Sequence, residues 1–183
     1  RRAGVAVFQQ AQADPSLRGM GTTFSCLLLT PNRGFVAHVG DSRVYLIRQG
    51  EVIQLTNDHS LLNEMIKQGR IHPSQAKKTR YSNAVTRAVG VYADVQVDTF
   101  DFELAAGDTF LVCTDGLSQY LQTPGEIAEV IERHGLDASA QAFIDLANAR
   151  GGSDNSTVIV VRVHASQDEL RATSPTDVTQ RVE

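Results

Sequence analysis

Cysteine is scarce in this 183-residue sequence, with only Cys26 and Cys113. Two are too few for a disulfide framework or a four-cysteine zinc site. Each lies in an apolar run, Phe24-Ser25-Cys26-Leu27 and Leu111-Val112-Cys113, which predicts buried thiols in a reducing, cytoplasmic setting. No run of Lys or Arg exceeds two residues and the net charge is −4, so the basic face of a nucleic-acid binder is lacking. No apolar stretch approaches the ~18 residues that a membrane-spanning helix needs. There is no internal repeat, and no methionine precedes Met20. What is present is an ordinary globular mixture, 42% hydrophobic and 21% charged, at a length that suits one domain with a real core.

The pattern along the chain is α+β. Residues 3–13 favour helix and stop before Asp14-Pro15. Strand signals follow over Thr22–Thr30, Gly34–Val39, Val44–Ile47 and Glu51–Leu55, joined by short turns that predict an antiparallel meander. Leu61, Leu62, Met65 and Ile66 share one helical face, closed by Gly69, and a polar stretch over 75–80 follows. Strands resume at Val95–Leu104, where a change of parity predicts a bulge near Asp98–Thr99, and at Thr109–Cys113. Thr123-Pro124-Gly125-Glu126 reads as a capping box opening a helix, and a second helix starts near Asp137. The strand Ser156–Val163 is apolar almost throughout, which predicts a central strand covered on both faces. From Ala165 the chain is polar and lacks aromatics, as a flexible tail or linker would be.

Three aspartates share a setting. Asp41 in Val39-Gly40-Asp41-Ser42 and Asp115 in Cys113-Thr114-Asp115-Gly116 follow strands, and Asp154 in Gly152-Ser153-Asp154-Asn155 precedes one. Carboxylates beside glycine at strand ends suit a hard divalent cation such as Mg²⁺ or Mn²⁺. The same residues also serve as ordinary turn formers that bond their own backbone. Their spacing does not decide between the two readings.

A longer series does carry a resemblance. It runs Gly19-Met20-Gly21-Thr22-Thr23, Ala37-His38-Val39-Gly40-Asp41-Ser42-Arg43-Val44-Tyr45, Leu55-Thr56-Asn57-Asp58-His59-Ser60, Asn83-Ala84-Val85-Thr86-Arg87-Ala88-Val89-Gly90, Gly107-Asp108 with Cys113-Thr114-Asp115-Gly116-Leu117, and Gly151-Gly152-Ser153-Asp154-Asn155-Ser156-Thr157-Val158. In this order the motifs resemble the metal-dependent protein phosphatases of the 2C-like (PPM) family, bacterial branch, over about Gly19 to Val163. Each motif alone is weak, and the ordered series is specific.

The resemblance implies a four-layer αββα sandwich of two antiparallel sheets flanked by helices. It implies a phosphatase domain over 1–164, with a flap at about 57–83 and a tail over 165–183. It further implies a serine/threonine protein phosphatase that uses two catalytic Mn²⁺ or Mg²⁺ ions, and a third weaker one, to activate a water for in-line attack on a phosphoserine or phosphothreonine monoester. Asp115 and Asp154 match ligands of the catalytic pair, and Asp41 with Asp115 matches the third site. Gly116 and Asn155 adjoin these ligands, with Asn155 placed to orient its neighbour. His59 reads either as a proton donor to the leaving group or as a structural or solvent-facing histidine. Arg43 and Arg87 read either as phosphate contacts or as residues that pair with the aspartates or cap backbone groups. Partners implied are phosphoproteins made by Ser/Thr kinases.

Two earlier motifs of the family are not in this sequence: one with an arginine for the substrate phosphate, and Asp-Gly-x-Gly-Gly with the aspartate that bridges both ions. The expectation is therefore the C-terminal portion of a phosphatase domain, binding catalytic metal poorly and hydrolysing little. The alternative is an inactive phosphatase-fold module that acts as a regulatory binding protein.

Overall fold

The computed structural model describes residues 2–72, 74–75 and 84–164. In chain order these form α1 (Arg2–Ala13), a 3-10 turn (Pro15–Leu17), β1 (Phe24–Leu29), β2 (Arg33–Val39), β3 (Arg43–Arg48), β4 (Glu51–Gln54), α2 (Leu61–Lys67), β5 (Asp98–Glu103), β6 (Thr109–Cys113), α3 (Asp115–Ser118), α4 (Gly125–Ala149) and β7 (Val158–Arg162). The strands make two antiparallel sheets, in the orders β1-β2-β5 and β4-β3-β6-β7.

Strand alternation builds the core between and outside these sheets. In the first sheet, Leu27 lies opposite Val36, and Val36 opposite Phe100, so one apolar row crosses all three strands. That face meets Leu46 and Phe110 of the second sheet through Leu27, Leu29 and Phe102. The other face of the second sheet turns Tyr45, Leu111 and Cys113 toward Ile127, Val130, Ile131, Phe143 and Ala147 of α4. Phe110, Leu111, Ile127 and Phe143 are wholly buried, each stabilising the fold by roughly 1.5–3 kcal/mol. Gly135 breaks α4 with φ +73° and ψ 169°, so the two helices predicted from the sequence are its two halves. α1 packs beside the 84–97 segment, where the ideal position of a Gly4 Cβ is 3.8 Å from Val89 and Val95.

Several local expectations are corrected. The meander is two hairpins in different sheets: β2 and β3 are not neighbours, and Gly40-Asp41-Ser42 carries the chain from one sheet to the other. β5 starts at Asp98, so the parity change marks a strand start, and Val95 packs toward α1 instead of forming a bulge. Among the described residues β7 is the last strand of its sheet, with Ile159 53% exposed; its apolar run reflects packing of Val158 and Val160 against the α4 core on one face. Cys26 is exposed, because it shares the outward parity of β1 with Phe24 and Leu28, whereas Cys113 is buried as predicted. Burial pushes the Cys113 thiol up to about 12.

The capping box does not form, since Pro124 sits at the N-cap and no side chain caps α4. The Glu126 carboxylate instead accepts from Gln122 N at 3.0 Å and pairs with Arg150 at the far end of the same helix. The predicted tail from Ala165, and residues 76–83 of the predicted flap, lie outside the described residues.

Candidate metal centre

Asp41 occupies the crossover between the sheets, and its neighbours fix the backbone there. Gly40 has φ +112°, and an added Cβ would fall 2.4 Å from Thr23 Cγ2, so both conformation and space call for glycine. Its amide donates to His59 Nδ1 at 3.1 Å, and its carbonyl accepts from His59 N at 2.7 Å. With Nδ1 as acceptor, Nε2 donates to Asp98 Oδ2 at 3.0 Å. Asp98 Oδ1 accepts from Arg87 Nη1 at 3.0 Å. His59 also receives Thr86 N at its carbonyl, so both ends of the 57–86 excursion meet beside Asp41. His38 stacks near His59 with ring centres 4.8 Å apart, and Ser42 Oγ lies 3.0 Å from Thr23 Oγ1.

Asp115 opens α3 directly after β6. Thr114 before it holds the far loop: Thr157 N donates to Thr114 Oγ1 at 3.0 Å, and Thr114 N donates to Thr157 O at 3.2 Å. Gly116 completes the contact, since a Cβ there would lie 2.2 Å from Asn155 O. The segments bearing Asp115 and Asp154 are thus pressed backbone to backbone. Asn155 acts through its main chain, donating from N to Asp154 Oδ1 at 2.7 Å. Asp154 is exposed, Asp115 half-buried.

Electrostatics link the crossover to β6. Burial, and then the negative charge of Asp115, hold the Asp41 carboxyl above the ordinary carboxylate range. Among the described residues neither Lys nor Arg pairs with Asp41, Asp115 or Asp154. The nearby arginines are engaged elsewhere. Arg43 grips Asp58 with two nitrogens, Nε to Oδ1 at 2.9 Å and Nη2 to Oδ2 at 2.6 Å, and donates to Tyr45 Oη. Burial works against the Arg43 charge, and the Asp58 bonds outweigh it, raising its pKa. Of the readings the sequence left open, the arginines are partners of aspartates and His59 is a buried hub with both ring nitrogens engaged.

The donor set is chemically apt for a hard cation: carboxylate oxygens that, among the described residues, neither Lys nor Arg pairs with. It is incomplete in number, because among the described residues no three His, Cys, Asp or Glu side chains gather closely enough to hold an ion alone. Mg²⁺-like ions commonly keep several waters and bind through one or two carboxylates, so such a partial set still fits. A groove of about 490 Å³ runs along α4 between Val130, Gln141 and Leu146, away from these carboxylates. Asp145 is the one carboxylate on its lining, so the meeting of several carboxylates points to the strand ends instead.

Sequence reasoning missed His38, Asp98 and Thr114. His38 had a signal, an inward parity shared with Val36 on β2. Asp98 was concealed by the expected bulge.

The family described as Protein phosphatase 2C matches residues 3–147. The serine/threonine phosphatase stp of Listeria innocua is 37% identical over 158 residues, covering 86% of this chain and 62% of its own length. The crystal structure of the Mycobacterium tuberculosis serine/threonine phosphatase PstP/Ppp superimposes with a TM-score of 0.83 at 35% identity, over 88% of this chain and 68% of that one. The PstP catalytic domain in complex with two manganese ions gives a TM-score of 0.77 at 35% identity, over 87% and 66%. The chain therefore spans less than two thirds of the Listeria relative it matches.

Proposed function

The chain belongs to the protein phosphatase 2C family, and from that premise we propose that it serves a divalent-metal-dependent protein serine/threonine phosphatase. The observation that carries this reading is the meeting of strand ends: Asp41, whose carboxyl is raised by burial and then by the negative charge of Asp115, and the Asp154 loop locked onto the Asp115 segment through Gly116. We assign Asp115 and Asp154 to the catalytic ions, and Asp41 with Asp115 to a further one. The phosphatase domain takes residues 1–164.

When bound, divalent ions at such a site activate a water and draw charge from the phosphoryl oxygens. The residues of this chain hold the ligands. Gly40 and His59 fix the Asp41 backbone, Thr114 and Gly116 fix the distance between the β6 end and the 151–157 loop, and the Asn155 amide orients the Asp154 carboxylate. His59 does not serve as the acid for the leaving group, since Gly40 N and Asp98 occupy both its nitrogens. The substrates are phosphoserine and phosphothreonine proteins made by Ser/Thr kinases, and the working compartment is the cytoplasm. Among the described residues no helix is long and apolar enough to cross a membrane.

The test is calorimetric titration with Mn²⁺, followed by phosphate release from a phosphothreonine peptide, with Asp115→Asn as control. Metal binding and release that both fail in Asp115→Asn carry the proposal. Mn²⁺ binding unchanged by Asp115→Asn overturns the site. Peptide binding without any Mn²⁺ binding in the wild type points instead to a regulatory binding module.

A further inference from the structure

One side chain that neither the sequence motifs nor the carboxylate geometry uses joins the two ligand segments. Tyr120 lies two residues beyond α3, the helix that Asp115 opens, and its ring packs against the α4 core. Its hydroxyl reaches across to the 151–155 loop. There it donates to Ser153 Oγ at 2.8 Å and accepts from Ser153 N at 2.9 Å, one residue before Asp154. The loop passes so close that a Cβ on Gly151 would lie 3.2 Å from the phenol oxygen. The Tyr120 backbone is itself anchored, because Arg150 Nη1 donates to its carbonyl at 2.7 Å while paired with Glu126.

The arrangement is a two-point clamp. Thr114 grips the loop after Asp154, at Thr157, and Tyr120 grips it before, at Ser153. Asp154 sits between the grips and is exposed, with no buried contact of its own to fix it. An exposed loop held at one end only would let that carboxylate wander, and a ligand bound to an ion must hold its position to be effective. We propose that Tyr120 is a positioning residue whose hydroxyl holds the 151–155 loop so that Asp154 keeps its place beside Asp115, an inference that rests on the metal reading above. Tyr120 touches neither ion nor substrate and acts only through Ser153.

Tyr120→Phe deletes the hydroxyl and leaves the ring in the core. Removing a group that orients a metal ligand typically weakens metal affinity ~10–100-fold, and Mn²⁺ affinity in Tyr120→Phe should fall by about tenfold or more on that basis. In metal-free protein, amide hydrogen exchange at Ser153–Asn155 should quicken while β6 and α4 amides keep their protection. Ser153→Ala removes one of the phenol's two bonds and retains the amide that the phenol accepts, so its Mn²⁺ affinity should fall less than that of Tyr120→Phe. Three results overturn the inference: wild-type affinity in Tyr120→Phe; a loss of protection spread over β6 and α4, which marks general destabilisation; or a loss in Ser153→Ala as large as in Tyr120→Phe. A wild-type protein that binds no Mn²⁺ fails in the first titration, before any variant, and removes the metal reading together with this one.

Discussion

The Asp41 crossover and the Asp154 loop present the same residue type beside glycine, yet they are built in opposite ways. The crossover is buried: Gly40 has both its amide and its carbonyl bonded to His59, and His38, Ser42 and Asp98 surround it. The loop is exposed from Gly151 through Asn155 and is held by two side-chain grips and one backbone contact. The difference teaches that one carboxylate is set by the folding core, and the other by a few contacts that can be removed without disturbing that core. Asp41 bears the electrostatic consequence of burial, a carboxyl held above its ordinary range. No such burial applies to Asp154.

Substitutions can break or sharpen this contrast. The largest effect is expected at Gly40→Ala, which combines a φ of +112° with a Cβ only 2.4 Å from Thr23 Cγ2. Strain and overpacking together should cost about 4 kcal/mol, read as a shift of the urea midpoint. A near-wild-type midpoint would mean that the crossover yields as readily as the loop. His59→Ala comes next. It strips the acceptor from the buried Gly40 amide and leaves a cavity, for a loss of about 3 kcal/mol in the same measurement.

Acid gives a third, smaller contrast. Burial, then the neighbouring His59, hold His38 below its ordinary value of 6.5. As pH falls through 6.5 the unfolded chain takes up a proton that the folded chain declines, so stability is complete above 6.5 and is lost as acid is added. One such proton changes stability by at most about 1.4 kcal/mol per pH unit. His38→Gln should flatten the curve of unfolding free energy below pH 6.5. Parallel curves for the two proteins would remove His38 from the account. The Asp154 loop offers no comparable group, so substitutions there should leave the slope unchanged.

Much of this was legible from residues alone. Alternation and short turns located β1 to β4, and Gly69 closed α2 where expected, because those signals act within a few residues. The three aspartates were found through ordered motifs, and their strand-end setting is as read. What stayed hidden depends on partners far along the chain. Nothing near Glu126 announces that Arg150 draws its carboxylate away from the cap. Nothing near Val158 shows that its strand is the last of its sheet among the described residues, since an apolar run looks alike whether one face or two are covered. His59 was open between two roles until Gly40 and Asp98, placed by different strands, were seen on its two nitrogens.

The finest test applies one substitution on each side of the contrast. Ser42 follows Asp41 and Ser153 precedes Asp154, so Ser→Ala deletes the same hydroxyl next to each carboxylate. Ser42 is 7% exposed, and its Oγ meets Thr23 Oγ1 at 3.0 Å. Removing it leaves a part-buried threonine hydroxyl without that partner and should cost about 1.5 kcal/mol. Ser153 is exposed, and its loss frees the Tyr120 hydroxyl to donate to water while the phenol oxygen still accepts the Ser153 amide. That change should stay under about 0.5 kcal/mol. Equal losses at the two serines would show that exposure does not separate the two segments, and the rigid setting of Asp41 would then need another cause than burial.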